Sequence, residues 1–299
     1  MDLGLDGRVA LVIGGGSGLG KACALELLRE GASVLIASRS QERLQRVAGE
    51  LARLADERIG SGGPDPAAAD DADIWLGPQR PHRVPADRRI AWAVTDVSTP
   101  QGPAAAVAAT VERFGRLDIL VVNAGGPPPG PFEAITDEQW RTAVDTTFLS
   151  AVRLTRAAIP HLRSETVKAA GGGRIVFLIS SSVKLPIRFL ATSNAIRPGT
   201  LGLMKTLAVE LAPDGILVNA VGPNRLNTER IQQLDADSAT RTGRSVEEVR
   251  AGHIAEIPLG RYGEPEELGA VVAFLASRRA GYVTGALVPV DGGYARTLL

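Results

Sequence analysis

Short runs of β-branched and aliphatic residues alternate along this chain with longer segments of helical periodicity. Such alternation is typical of a parallel sheet covered by helices on both faces. Right-handed crossovers between these elements give a doubly wound α/β fold. The apolar runs predict seven strands, at Arg8 to Ile13, Ser33 to Ala37, Ile90 to Thr95, Ile119 to Val122, Arg174 to Ile179, Ile216 to Ala220 and Leu287 to Val290. The periodic segments predict helices at Gly18 to Arg29, Gln41 to Leu54, Pro103 to Phe114, Asp137 to Arg163, Ala195 to Leu211 and Pro265 to Leu275.

Two segments interrupt this rhythm. Residues 56–89 are rich in Gly, Pro, Ala and charge, which predicts an inserted surface loop in a chain whose 299 residues otherwise suit one domain. Residues 227–257 are mostly polar and predict a second loop with one short helix, Ser245 to His253. We expect this second loop to close over a substrate.

Composition narrows the function to small-molecule chemistry. The formal net charge is zero, so nothing in the total favours binding to nucleic acid or to an anionic membrane. Cys23 is the only cysteine, which excludes an intramolecular disulfide, and the histidines have no metal-ligand spacing, so no metal is predicted. The N-terminus lacks the pattern of a secretory signal, and no apolar run is long enough to span a bilayer. We therefore predict a cytoplasmic protein.

A glycine-rich turn follows the first predicted strand and leads directly into the first predicted helix. Gly14, Gly18 and Gly20 form a GxxxGxG spacing. Without side chains, this turn lets backbone amides approach a pyrophosphate at the helix N-terminus. A Rossmann-type fold with a dinucleotide at this turn is predicted, although glycine-rich turns also occur without a ligand. The predicted contacts are Gly14, Gly16, Ser17, Gly18, Leu19 and Gly20.

Further motifs at the expected places make the chain resemble the short-chain dehydrogenase/reductase superfamily. These are Thr95-Asp96-Val97, Asn123-Ala124-Gly125 after the fourth strand, and Pro223 and Thr228 after the sixth. The resemblance implies that the Asp-Val pair holds the adenine and that the Asn-Ala-Gly turn passes the nicotinamide-side ribose. It also implies that Pro223 and Thr228 meet the carboxamide, and Asn224 replaces the usual glycine there.

The end of the second strand favours NADP(H) over NAD(H). An acidic residue there would normally bind the adenosine ribose hydroxyls, but this strand ends in Ser38 and Arg39. Ser38 does not repel a 2′-phosphate, and the guanidinium of Arg39 suits one. The competing interpretation is that Arg39 is a solvated surface charge.

The predicted catalytic residues depart from the pattern of the family. Ser180 matches its catalytic serine, whereas Ser193 and Arg197 fall where the resemblance implies a tyrosine and a lysine, and Thr147 falls where it implies an asparagine. A serine hydroxyl is a much weaker acid than a phenol, and Arg197 stays protonated while it hydrogen-bonds ribose hydroxyls. A lysine-centred proton relay is therefore not available.

Three outcomes remain open. In the first, a different acid donates the proton, either Lys184 or a water held by Ser180. In the second, the substrate brings its own proton relay or needs little acid help, and in the third, hydride transfer is lost. In the first two the protein is an oxidoreductase acting on a carbonyl or secondary alcohol. In the third it is a sensor or scaffold that binds a dinucleotide, or, with a degraded nicotinamide end, only an assembly partner. The resemblance also implies a homotetramer or homodimer in which the predicted helices 137–163 and 195–211 pair.

Overall fold

The sheet has seven parallel strands in the order β3-β2-β1-β4-β5-β6-β7. The structure is a computed structural model that describes residues 2–60, 84–123, 125–126 and 129–298. All seven strands lie where the apolar runs predict them, with ends that differ by at most three residues. Their bounds are β1 Val9–Ile13, β2 Ser33–Ser38, β3 Ile90–Val94, β4 Ile119–Val122, β5 Arg174–Leu178, β6 Leu217–Pro223 and β7 Leu287–Val290.

Helices cover both faces of this sheet. Successive side chains of a strand point to opposite faces, so a doubly covered strand is apolar throughout. In β1, Ala10 and Val12 pack in one core, and Leu11 and Ile13 pack in the other. The first core receives helices α1 (Gly18–Arg29), α2 (Gln41–Gly60) and α11 (Pro265–Ala276), and the second receives α4 (Gly102–Phe114), α6 (Ser150–Leu162) and α8 (Ala191–Glu210).

The predicted helix 137–163 is not continuous. It divides into α5 (Asp137–Val144), a π-helical turn (Asp145–Leu149) and α6. The hydroxyl of Thr146 donates to the carbonyl of Thr142, and that of Ser150 donates to the carbonyl of Thr146. Such side-chain bonds to preceding carbonyls bend helices, and π-helical turns are frequent at functional sites.

Both predicted loops are partly helical. Helix α2 continues to Gly60 and a short helix α3 spans Ala86–Arg89, so the flanks of the predicted 56–89 loop are helical, and residues 61–83 lie outside the described residues. In the 227–257 segment, α9 (Glu229–Thr242) precedes the expected short helix, which is α10 (Val246–Ala255). Helix α9 was not predicted because it is mostly polar and lacks a clear apolar period. Thr228 caps its start, and Gly243 ends it in the left-handed conformation. No helix in the described residues is long and apolar enough to cross a membrane.

The strand order reverses at the centre of the sheet. The chain moves outward from β1 through β2 to β3 and then returns to β4 on the other side of β1. Connections on the two sides of this point run in opposite directions, which opens a crevice at the carboxyl ends of β1 and β4. The predicted site residues follow the carboxyl ends of β1, β2, β3, β4, β5 and β6, at this edge of the sheet.

Candidate functional site

The backbone of the turn after β1 requires glycine at two positions. Gly14 donates its amide to the carbonyl of Ala37 over 2.8 Å and has a φ of 69°, in the region that favours glycine. A Cβ atom placed on Gly20 would lie 2.3 Å from the carbonyl oxygen of Gly14. Helix α1 begins at Gly18 with no acidic residue in its first turn. Its free amides therefore face the crevice without a competing negative charge, which suits a diphosphate.

The residues that the sequence predicts for the adenosine end of a dinucleotide follow β2 and β3. The Oγ of Ser38 is buried and has no hydrogen-bond partner in the described part of the chain. A Cβ on Gly16 would lie 3.1 Å from this oxygen and 3.5 Å from the Cδ of Arg43. The pKa of Asp96 is lowered, chiefly by hydrogen bonds from Ser98 and also by the nearby charge of Arg39. Val97 packs against the second core.

Arg43 was missed by the sequence analysis. It lies on the first turn of α2, where an exposed arginine has no signal in the sequence. Only the approach of α2 to the glycine turn brings its side chain beside Gly16. Arg39 follows Ser38 directly in the chain and the side chain of Arg43 approaches Gly16, so two arginines lie near the strand end that carries the orphaned Ser38 hydroxyl.

The residues that the sequence predicts for the nicotinamide end follow β4 and β6. Asn123 directly follows β4, and its Nδ2 atom would lie 2.6 Å from a Cβ on Gly14, so its side chain rests on the glycine turn. Thr228 caps α9, and its Cγ2 would lie 3.5 Å from a Cβ on Gly18. The buried Nδ2 of Asn224 has no partner in the described residues. Pro223 is the last residue of β6 and Gly125 lies three residues after the end of β4, whereas Ala124 lies outside the described residues.

The predicted catalytic residues meet after β5. Ser180 accepts the amide of Ser182 over 3.1 Å, and the hydroxyls of Ser182 and Ser193 are 3.4 Å apart. Arg197 donates its Nε to Ser193 over 3.1 Å and an NH group to the carbonyl of Ile179 over 2.7 Å. Burial lowers the pKa of Arg197 to about 10, so its guanidinium remains charged at neutral pH. Ser193 and Arg197 are thus a hydrogen-bonded pair beneath the Ser180 loop.

Thr147 and Lys184 complete the predicted set. Thr147 lies in the π-helical turn, is buried, and has an Oγ1 without a partner in the described residues. Lys184 ends the 3-10 turn that Ser180 caps and forms no ion pair with any described residue. The Oγ1 of Thr147, like the Oγ of Ser38 and the Nδ2 of Asn224, is a buried polar atom without a partner in the described residues. Such atoms are rare in native proteins, and a bound polar ligand would give them partners.

A buried polar cluster anchors the two helices α9 and α10. Asp235 accepts hydrogen bonds from Arg225 over 2.9 Å and from Tyr262 over 3.0 Å. His253 lies 3.1 Å from Asp235 through Nδ1 and 2.9 Å from Arg225 through Nε2. An arginine only donates, so Nε2 accepts and His253 is neutral with its proton on Nδ1. The sequence alone does not predict this cluster, because its members lie up to 37 residues apart along the chain, as Arg225 and Tyr262 do.

Comparison with known families covers almost the whole chain. A family described as "Enoyl-(Acyl carrier protein) reductase" matches residues 80–295, and one described as "short chain dehydrogenase" matches residues 8–63.

Within the described residues no group of three or more His, Cys, Asp or Glu side chains has an arrangement that could hold a metal ion.

Individual relatives match over their full lengths. Cis-4-hydroxycyclohexanecarboxylate dehydrogenase of Sinomonas cyclohexanicum is 32% identical over 288 residues, with 96% of each chain covered. The 3-oxoacyl-(acyl-carrier-protein) reductase of Thermotoga maritima is 30% identical over 290 residues, covering 97% of this chain and 98% of that protein. The structure of L-sorbose reductase from Gluconobacter frateurii, complexed with NADPH and L-sorbose, has a TM-score of 0.82 at 30% identity and covers 100% of both chains. The chain therefore belongs to the short-chain dehydrogenase/reductase superfamily and is an oxidoreductase.

Proposed function

We propose that this protein is an NADP(H)-dependent oxidoreductase that interconverts a carbonyl and a secondary alcohol with an unusual proton donor. The observation that carries the proposal is the convergence, at one crevice, of the glycine turn, the Ser38–Arg39–Arg43 group and the Ser180 loop. The named relatives support the reaction class. They reduce L-sorbose or a 3-oxoacyl group, or oxidise a hydroxycyclohexanecarboxylate, as their names state.

The preference for NADP(H) rests on charge at the end of β2. No carboxylate occupies this strand end, and Ser38 offers an orphaned hydroxyl beside Arg39 and Arg43. Arginine binds phosphate with planar, charge-assisted hydrogen bonds. NADPH-bound structures of similar proteins agree with this choice.

Substituting Ser38→Asp tests the cofactor preference. The new carboxylate repels a 2′-phosphate and accepts ribose hydroxyls, so we expect the Kd for NADPH to rise about 10- to 100-fold, equivalent to about 1.4–2.8 kcal/mol, while the Kd for NADH falls. Fluorescence titration with both nucleotides measures this. Ser164→Asp is the matched control, because Ser164 caps α7 (Glu165–Ala169) away from the crevice and aspartate caps helices equally well. An unchanged ratio of the two Kd values in Ser38→Asp contradicts the proposed preference.

In the proposed mechanism Ser180 holds the carbonyl oxygen of the substrate by a hydrogen bond. NADPH, when bound, supplies the hydride. Ser193 is too short to act in place of a phenol, and its hydroxyl is already engaged by Arg197 and Ser182. The charged guanidinium of Arg197 fixes the end of β5 through the carbonyls of Leu178 and Ile179 and keeps a positive field beneath the site.

Two groups are proposed as the source of the proton. Lys184 carries a transferable proton and lies four residues after Ser180, and a water bound by Ser180 is the second candidate. The oxygen of Thr147 is a further position for such a water, because it is buried and lacks a partner in the described residues.

Turnover of NADPH with a panel of ketones and aldehydes tests the function. We expect Ser180→Ala to lower kcat about 100-fold with NADPH binding unchanged, since it removes the hydrogen bond to the reacting oxygen. Lys184→Met separates the two proton sources. A loss of similar size identifies the lysine, whereas a change below about twofold excludes the lysine and leaves the water held by Ser180 as the proposed source.

The alternative is a protein that binds the dinucleotide without turnover. Its supporting observation is the Ser193–Arg197 pair, which ties both residues to the protein interior. Tight NADPH binding without carbonyl-dependent loss of NADPH absorbance across the panel favours this alternative. Assembly into a homodimer or homotetramer, and a cytoplasmic location, stay predictions.

A further inference from the structure

A strained phenylalanine marks the mouth of the proposed substrate site. Phe189 lies on the loop between β5 and α8, nine residues after Ser180 and four before Ser193. Its φ of 63° makes it the one non-glycine residue with a positive φ in the described chain. A bulky side chain adopts this conformation only where the surroundings impose it, and such outliers cluster at ligand sites.

Two arginines from different elements stack on this ring. The guanidinium of Arg188, on the same loop, lies 4.6 Å from the ring centroid, and that of Arg241, near the end of α9, lies 4.4 Å from it. The carbonyl of Phe189 accepts the amide of Gly130 over 2.9 Å, which joins this loop to the segment that follows β4. The ring is therefore a platform between the Ser180 loop, the segment after β4 and helix α9.

No described residue neutralises the charge on this platform. Arg188 and Arg241 are both exposed, and neither forms an ion pair with a described residue. Because both guanidinium centres lie within 4.6 Å of one centroid, two positive charges are held as neighbours. Like charges repel, so this pair of guanidinium groups would be stabilised by a negatively charged group, and no described residue supplies one.

Two further basic residues lie on the segments that meet at Phe189. Lys184 lies four residues before Arg188, on the loop that follows Ser180. Arg230, in the first turn of α9, has a guanidinium nitrogen 3.7 Å from the position of a Cβ on Gly126, directly after the Asn-Ala-Gly turn. Basic residues therefore occur on the Ser180 loop and at both ends of α9.

We propose that Arg188 and Arg241 bind an oxyanionic group of the substrate, a carboxylate or a phosphate, while the carbonyl lies at Ser180. This inference rests on the proposed function and adds to it the chemical class of the substrate. A guanidinium stacked on an aromatic face keeps its edge free, and that edge carries the parallel N–H donors that match a carboxylate or phosphate. The stack on Phe189 thus preorganises two such edges.

Matched pairs of carbonyl compounds test the inference. NADPH consumption is measured with levulinate and pyruvate against their methyl esters, and with dihydroxyacetone phosphate against dihydroxyacetone. We expect kcat/KM to be at least about tenfold higher for the charged member of a pair, and the comparison of the carboxylates with the phosphate identifies which oxyanion fits. Arg188→Gln and Arg241→Gln should each raise KM about tenfold for the charged member only. Arg156→Gln, which removes an exposed charge from α6, should leave both values unchanged.

The possible results distinguish failure of this inference from failure of the proposed function on which it rests. Turnover without preference for the charged member, or equal losses for both members in the two arginine variants, overturns the inference and leaves the proposed function intact. Absence of turnover with every compound overturns the proposed function. In that case calorimetric titration of the NADPH-loaded protein with levulinate and with glycerol phosphate decides the inference. Binding that weakens about tenfold in Arg188→Gln and Arg241→Gln supports the oxyanion site, and absent or unaltered binding contradicts it.

Discussion

Gly20→Ala should abolish dinucleotide binding. The added Cβ would lie 2.3 Å from the carbonyl oxygen and 2.6 Å from the carbonyl carbon of Gly14, so backbone must move. Helix α1 cannot simply retreat, because on its other side a Cβ at Gly269 of α11 would already lie 2.7 Å from the carbonyl oxygen of Ala22. Overpacking of this kind costs about 1–3 kcal/mol, and the displaced amides no longer meet a diphosphate. We expect the Kd for NADPH to rise at least about 100-fold.

Gly49→Ala is the control for this substitution. Gly49 lies inside α2, is exposed, and has nothing within 4 Å of an added Cβ. Alanine should therefore raise the free energy of unfolding by about 0.5–1 kcal/mol and leave NADPH binding unchanged. Thermal unfolding with and without saturating NADPH measures both effects. A normal NADPH-induced shift of Tm in Gly20→Ala contradicts the placement of the diphosphate at this turn.

Asp118→Asn should cause the largest loss of stability. Asp118 precedes β4 at the opposite edge of the sheet, and its side chain is fully buried. Its carboxylate lies 3.0 Å from the Nε of Arg8 and 2.6 Å from Arg116, and it accepts the amide of Val9 over 2.9 Å. The neighbouring Arg174 is also buried, and burial, followed by the charges of Arg8 and Arg278, lowers its pKa to about 10.

The neutral amide would leave these guanidinium groups without their buried carboxylate. Removing one partner of a buried ion pair costs about 3–5 kcal/mol, since the remaining charge stays desolvated. Urea unfolding measures the loss. Asp214→Asn, which breaks the more exposed ion pair with Arg163, should change the free energy of unfolding by at most about 1 kcal/mol. A loss below about 1 kcal/mol in Asp118→Asn would show that the cluster is solvated and that its burial is misassigned.

The Ser38 and oxyanion tests address opposite ends of the crevice and should be independent of each other. Ser38 lies at the end of β2, and Arg241 lies on the helix that follows β6. Substitutions without shared partners usually have additive effects on free energy. A double variant is therefore expected to combine a changed nucleotide preference with a lost preference for charged substrates.

The sequence by itself determined the sheet and the glycine turn. All seven strands are short apolar runs, and the five inner strands β1, β2, β4, β5 and β6 are buried on both faces, a pattern that depends only on local composition and period. Gly14, Gly18 and Gly20 could also be assigned from spacing, because a turn with these backbone angles excludes side chains. Local composition and residue spacing are therefore enough to predict the strands and the glycine turn.

The tertiary structure alone decided which distant residues meet. The π-helical turn at Thr147, the helix α9, the approach of Arg43 to Gly16 and the stacking of Arg188 and Arg241 on Phe189 depend on how helices pack over the sheet. Helix periodicity does not encode a π-helical turn, and an exposed arginine has the same pattern whether it is solvated or joins a site. Contacts between residues far apart in sequence arise from packing. The amino-acid sequence specifies this packing only through the complete fold.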